Sequence, residues 1–190
     1  MPALSDVTVA NSALSLIGDQ RIVSLTDDSE AAKAINANYD LIRDEVTAAH
    51  PWNCAINRVE LASTTTTPVY GYTNTFNLPT DPHCLRILGV QNFDHDEWVV
   101  EGRTLLVNAS SVNIRYIKRI TDAMEMSPGL VQAISARLAH AVCFRLTGDE
   151  DLRGRVWQYY NQVRKDARST DGLEGAPPLI ESSTFATARL

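Results

Sequence analysis

Asn11-Ser12-Ala13-Leu14-Ser15-Leu16-Ile17-Gly18 closes one helix-length pattern, and Thr26-Asp27-Asp28-Ser29-Glu30 opens another that ends at Ala49-His50-Pro51-Trp52-Asn53-Cys54-Ala55. In the first pattern, apolar residues recur as Val9/Ala10, Ala13/Leu14 and Ile17, the three-and-four spacing of a single helical stripe. Gly18 fits a left-handed stop, where a residue with a side chain would be strained. The second pattern predicts a helix with Asp27 and Glu30 in a capping-box relation and an inward stripe of Ala31, Ile35, Tyr39, Ile42 and Val46. Pro51 disfavours helical geometry at His50, so that helix is expected to end there, with Trp52 packed across the turn.

Downstream of this frame the periodicity changes. Ser63-Thr64-Thr65-Thr66-Thr67-Pro68 reads as an edge strand or a loop, and Leu78-Pro79-Thr80-Asp81-Pro82 as a turn that no central strand could contain. Leu85-Arg86-Ile87-Leu88-Gly89-Val90, Trp98-Val99-Val100, Thr104-Leu105-Leu106-Val107 and Val112-Asn113-Ile114-Arg115-Tyr116-Ile117 read as short strands. Glu101-Gly102-Arg103 between the second and third predicts a tight hairpin, and the short connections imply an antiparallel sheet. Ser127-Pro128 then signals a capped helix start carrying Leu130, Ile134, Leu138, Ala141, Val142 and Arg145, stopped at Gly148. A last helix begins near Asp149, carries Val156, Tyr159/Tyr160, Val163 and Ala167, and is expected to pack antiparallel to its predecessor. From Ser169 to Pro178 the composition is that of a turn or linker, and the apolar residues beyond it have no period.

The expected fold class is therefore α+β: a mainly α-helical bundle of about four helices, with one small inserted antiparallel sheet and an extended C-terminal tail. The boundaries are residues 1–62 for an N-terminal helical segment and 63–120 for the inserted β region. Residues 121–172 form a helical hairpin completing the bundle, and 173–190 the tail. A chain of 190 residues, 44% hydrophobic, can bury a substantial single core. It has no run of about 18 apolar residues, and Met1-Pro2-Ala3-Leu4-Ser5-Asp6 has neither a basic leader nor an apolar signal core, so a soluble protein made in a cytoplasm is expected. Cys54, Cys84 and Cys143 are odd in number and widely spaced, which fits reduced, buried thiols better than a disulfide framework or a zinc site. A net charge of −6 argues against a surface that grips nucleic acid as a whole, while leaving room for a locally positive face.

Few residues promise chemistry. Asp94-His95-Asp96-Glu97 is the densest group of carboxylates, and a glycan hydrolase would need two such groups facing each other across a cleft. Consecutive residues alternate faces in a strand or meet water in a loop, so a solvated turn is the expected state. The sequence has no Gly-x-Ser-x-Gly elbow, no Gly-rich phosphate loop and no His-Glu-x-x-His, and no cofactor, metal or catalytic residue is expected. His50 and His140 read as packing residues. Arg153, Arg155, Arg164, Lys165 and Arg168 concentrate on the last helix, either as a solvated face paired with Asp149, Glu150, Asp151 and Asp166 or as a charged interface that orients neighbouring subunits. No groove-reading helix or base-stacking signature accompanies them.

Beyond the opening third, with Arg43-Asp44 before His50-Pro51-Trp52 and Arg58-Val59-Glu60-Leu61-Ala62 after it, an ordered series of short motifs follows. It comprises Asn77-Leu78-Pro79-Thr80-Asp81, Leu85 to Val90, Val99-Val100-Glu101-Gly102-Arg103, Ile114-Arg115-Tyr116-Ile117-Lys118-Arg119 with Thr121-Asp122, and Ala136-Arg137-Leu138-Ala139-His140-Ala141 with Leu146-Thr147. In this order, from about Val9 to about Gly175, the chain resembles the tail tubular protein A family, the head-to-tail adaptors of short-tailed bacteriophages. The resemblance implies a structural virion protein, made in a host bacterial cytoplasm and placed at the head-tail junction. It implies a dodecameric ring between the portal protein and the tail nozzle protein, with genomic DNA passing through the lumen without sequence-specific binding. A monomer is the expected form before the portal templates closure. It also favours the tail as a portal-docking arm, carried by Leu179, Ile180, Phe185, Arg189 and Leu190, with Pro177-Pro178 stiffening its root. The hairpin arginines Arg153, Arg155, Arg164 and Arg168 become expected interface residues, and Gly18, His50, Pro51 and Trp52 expected structural turns. The competing expectation is a tail-associated glycan hydrolase using Asp94 to Glu97.

Overall fold

A computed structural model describes residues 4–174. Its elements run α1 (Asp6–Ile17), α2 (Glu30–Asn36), α3 (Tyr39–Ala49), β1 (Ile56–Ala62), β2 (Asn74–Asn77), β3 (Cys84–Val90), β4 (Trp98–Glu101), β5 (Thr104–Val107), β6 (Ser111–Lys118), α4 (Pro128–Thr147) and α5 (Glu150–Leu173). The expected bundle of about four helices with one inserted sheet is corrected. Among the described residues there are five α-helices and two three-stranded antiparallel sheets, 47% helix and 22% strand, an α+β mix and not a four-helix bundle.

Two local effects account for the difference. The helix expected from Asp27 to His50 is broken: α2 is capped by Ser29, whose side chain accepts from Ala32 N–H, and it ends before Asn38. Asn38 turns its amide back onto the Ala34 carbonyl (2.8 Å), the local side-chain bond by which Asn competes with helical continuation. Asp27 instead accepts from the backbone N–H groups of Val23 and Ser24, closing the loop before α2. The second effect is pairing across a long sequence separation. Residues 56–62, taken with the helical start, form β1 against the full length of β6, from Ile56 opposite Ile117 to Ala62 opposite Ser111. β6 thus lies between β1 and β3, while β5 lies between β2 and β4 in a separate sheet.

Burial follows from the alternation along β6. Val112, Ile114 and Tyr116 face the second sheet and pack with Phe76, Leu105 and Val107 in a small sandwich core. Ile117 and, just beyond the strand, Ile120 join the helical core, where α1 contributes Val9, Ala10, Ala13, Leu14 and Ile17 and α4 contributes Leu130, Ala133, Ile134, Leu138 and Val142. Ser135 in the middle of α4 donates its hydroxyl to the Val9 carbonyl (3.1 Å), tying α4 to α1. Asn11 holds the segment after α1 through a two-way amide bond with Ile22. An ionic seam joins the helical layer to the end of β6: Arg43, nearly buried, lies between Asp40 and Asp44, and Asp44 also binds Arg119 at 2.5 Å.

Candidate functional site

The hairpin of α4 and α5 carries the surface least explained by the needs of the fold. Ser127 caps α4 by accepting from Leu130 N–H, and Pro128 sits where a helix has no use for its missing N–H. Gly148, at φ 68°, ends α4, and Asp149 caps α5 by accepting from Leu152 N–H. This fixes α5 so that Val156, Tyr160, Val163 and Ala167 face inward. Tyr159, expected with Tyr160 on the inward stripe, is 46% exposed, because adjacent helical positions are about 100° apart.

Beside the inward stripe runs a second one, Arg153, Trp157 and Arg164, which meets α4 at His140 and Phe144. The His140 and Trp157 rings lie 4.8 Å apart and those of Trp157 and Tyr160 5.4 Å. Arg153 stands 5.9 Å over the Phe144 ring while binding Glu150, and Arg164 stands 5.5 Å over Tyr160. Phe144 is 52% and Trp157 41% exposed. His140 Nδ1 and Arg164 Nε are buried without a hydrogen-bond partner among the described residues. Burial first, then the charges of Arg137 and Arg153, holds the His140 pKa below its ordinary value against the opposing pull of Glu150. The surface is cationic, aromatic and short of polar partners.

Of the arginines expected at an interface, Arg153 and Arg164 belong to this cluster. Arg155 lies apart from it, 4.0 Å from Asp149, and Arg168 donates to the Ala49 carbonyl (3.1 Å), clamping the end of α3. The aromatic members Phe144 and Trp157 went unread in the sequence. Their signal is the spacing of Arg153, Trp157 and Arg164, which places them on one strip of α5.

The turn after α3 is a built structural joint. His50 ends the helix in an extended conformation, and Trp52, 1% exposed, donates its indole N–H to the Val46 carbonyl (3.1 Å). The His50 ring stands edge-on to Trp52 at 4.8 Å. Asp171, four residues beyond Ala167, the last apolar position expected on α5, is buried here: it accepts from Asn53 N–H (3.1 Å) and meets His50 Nε2 at 3.3 Å, while Asn53 donates its amide to the Asp171 carbonyl. α5 therefore continues to Leu173, where the sequence reads as linker from Ser169. Gly18 has φ 73° and ends α1 as expected.

Asp94 to Glu97 form the turn between β3 and β4. Glu97 accepts from Asp94 N–H (2.7 Å), His95 stacks on Trp98 with ring centres 4.9 Å apart, and all four residues are exposed. The carboxylate of Glu97 is occupied in holding the turn. Among the described residues no three His, Cys, Asp or Glu side chains converge as a metal site, and no helix is long and apolar enough to cross a membrane. Cys84 and Cys143 are buried free thiols, whereas Cys54 is half-buried with its sulfur accepting from Ser127 N–H. Leu179, Ile180, Phe185, Arg189 and Leu190, the expected docking arm, lie outside the described residues. No protein-family model matches the chain, and no curated protein gives a significant match.

Proposed function

We propose that this protein is a structural subunit of a phage tail, a head-to-tail adaptor that closes into a ring between portal and nozzle through its α4–α5 face. The observation that carries the proposal is the cluster of Phe144, Trp157, His140, Arg153 and Arg164. Aromatic and arginine side chains with large exposed area are the composition of interface anchors, and leaving them in water forgoes the burial they offer. His140 Nδ1, already shut off from solvent, is out of a neighbour's reach, so what a neighbouring subunit can cover is the exposed Phe144 and Trp157 rings beside it. The ordered series of motifs resembling tail tubular protein A adds the architecture: copies side by side, each repeating one heterologous contact until the ring closes.

In this mechanism the anchors supply affinity and the charged rim supplies register. Arg155, Glu150 and Asp151 at the exposed edge steer neighbours and set orientation, with a contribution that falls as salt rises. The C-terminal residues beyond Glu174 would engage the portal and couple ring closure to its presence. The test is the mass of the purified protein alone and after mixing with the portal of the phage that encodes it, by light scattering or native mass spectrometry. A portal-dependent gain of about twelve copies is expected, reduced in Trp157→Ala and Arg153→Ala. Absence of any association across a range of salt would remove the adaptor reading.

A further inference from the structure

The face of the β1-β6-β3 sheet turned away from the sandwich has two ends. At one, Ile117 is buried against the helices; at the other, the surface opens into a concavity of about 680 Å³ lined by Arg58, Glu60, Gly89, Gln91, Asn113 and Arg115. Arg58 and Arg115 stand directly opposite each other in the β1–β6 ladder, and both are exposed. Like charges in that relation destabilise a sheet. Among the described residues neither has a carboxylate within 4.0 Å, in contrast to Arg43, Arg119, Arg137, Arg145 and Arg153, each of which is paired. Glu60 is on the same face but stands opposite Asn113, outside ion-pair distance of both arginines.

The third strand leaves the space beside them open. Gly89 is the register partner of Arg115 on β3, and a Cβ added there would meet nothing within 4 Å. A register shift between Ile87 and Gly89 displaces the strand at this level. Glycine within a strand weakens it and marks places where another group approaches the backbone closely. Two repelling guanidinium groups, an empty floor and the flanking amides of Asn113 and Gln91 thus meet at one spot, and none of them is required by the packing of the sheet.

We infer that this concavity binds a phosphate-class oxyanion, held between the Arg58 and Arg115 guanidinium groups over Gly89. Guanidinium presents paired N–H donors that match phosphate oxygens, and a bound anion turns the repulsion between the arginines into shared attraction. Asn113 and Gln91 supply neutral donors at the edge, and Glu60 confines the anion to the arginine side. The source of the phosphate is either a free phosphate compound or the backbone of a nucleic acid, two forms of one chemistry. The inference concerns the sheet and stands whether or not the α4–α5 face closes a ring.

The test titrates the full-length protein at low salt with inorganic pyrophosphate and, separately, with a mixed-sequence DNA duplex, followed by NMR chemical shifts or calorimetry. Binding is expected with a millimolar or tighter constant, weakened about tenfold in Arg58→Ala and in Arg115→Ala. Gly89→Val, which leaves the charge unchanged, also weakens it, while Arg21→Ala, an exposed arginine elsewhere, does not. Because the two arginines repel when unliganded, Arg58→Ala keeps or raises the Tm, which separates lost binding from lost folding. Saturation by both ligands identifies a general phosphate site, and saturation by duplex alone identifies a backbone site. No binding of pyrophosphate at about 10 mM together with none of the duplex, or equal binding by wild type and both arginine variants, overturns the inference.

Discussion

Asp171 sits where its charge is locally unfavourable, in the last turn of α5, whose carbonyl end repels an anion by up to about 1 kcal/mol. It is held there by the Asn53 N–H and His50 that the Pro51 turn presents, hydrogen bonds to a charged group that are each worth about 1.5–3 kcal/mol. The tertiary bonds win, and the helix is extended past the residues that its composition would end. Asp171→Ala removes the acceptor while relieving the dipole, so a net loss of about 1–2 kcal/mol is expected, read as a lower denaturant midpoint at unchanged slope. A shift below about 0.3 kcal/mol would mean that the joint contributes nothing to stability. This residue also marks a limit of sequence reading: Gly18 and Trp52 were legible because glycine stops and X-Pro turns act locally, whereas the role of Asp171 depends on partners 118 positions away in the chain.

At the scale of elements, α4 and α5 pack closely at Gly129. A Cβ there would lie 2.9 Å from Cβ of Ala167, a contact with no flexible side chain to yield. Gly129→Ala gains up to about 1 kcal/mol of helix preference and adds overpacking of about 1–3 kcal/mol. Net destabilisation is the expected outcome, with Gly129→Ala/Ala167→Gly recovering part of it; a single variant as stable as wild type in thermal unfolding would show that the helices separate freely. The elements themselves were legible where chemistry is local. The Ser127-Pro128 start, the Gly102 hairpin at φ 58° and the strands within 85–117 appear as expected. β1 and β2 were not, since Ile56–Ala62 has no turn chemistry to set it off and is made a strand by seven partners on β6. The break at Asn38 was missed because the inward stripe Ile35, Tyr39, Ile42 and Val46 keeps helical spacing through it. Phe144 and Trp157 were not singled out for the converse reason: periodicity identifies the buried stripe, and these half-exposed rings lie at its margin.

For the molecule as a whole, a layer of helices packed on a small sandwich places three of its histidines where protonation is disfavoured. His50 is held below its ordinary pKa of 6.5 by burial first and Arg168 second, with Asp171 pulling the other way. His140 is lowered by burial, Arg137 and Arg153 against Glu150, and His83 by burial, Arg103 and Arg119 against Asp44. In each case the unfolded chain takes up a proton below 6.5 that the folded chain resists, so the unfolded state binds more protons in that window. Stability from these groups is complete above pH 6.5 and falls as the pH drops below it. Urea midpoints measured from about pH 7.5 to about pH 5 are therefore expected to decline on the acid side, and the decline to be shallower in His50→Gln and His140→Gln. The two variants probe different joints, one between α3 and the end of α5 and the other between α4 and α5, so their effects are expected to add. A midpoint that stays level or rises on acidification would show that neither joint resists the imidazolium charge, and that the helical layer opens to water more readily than its burial implies.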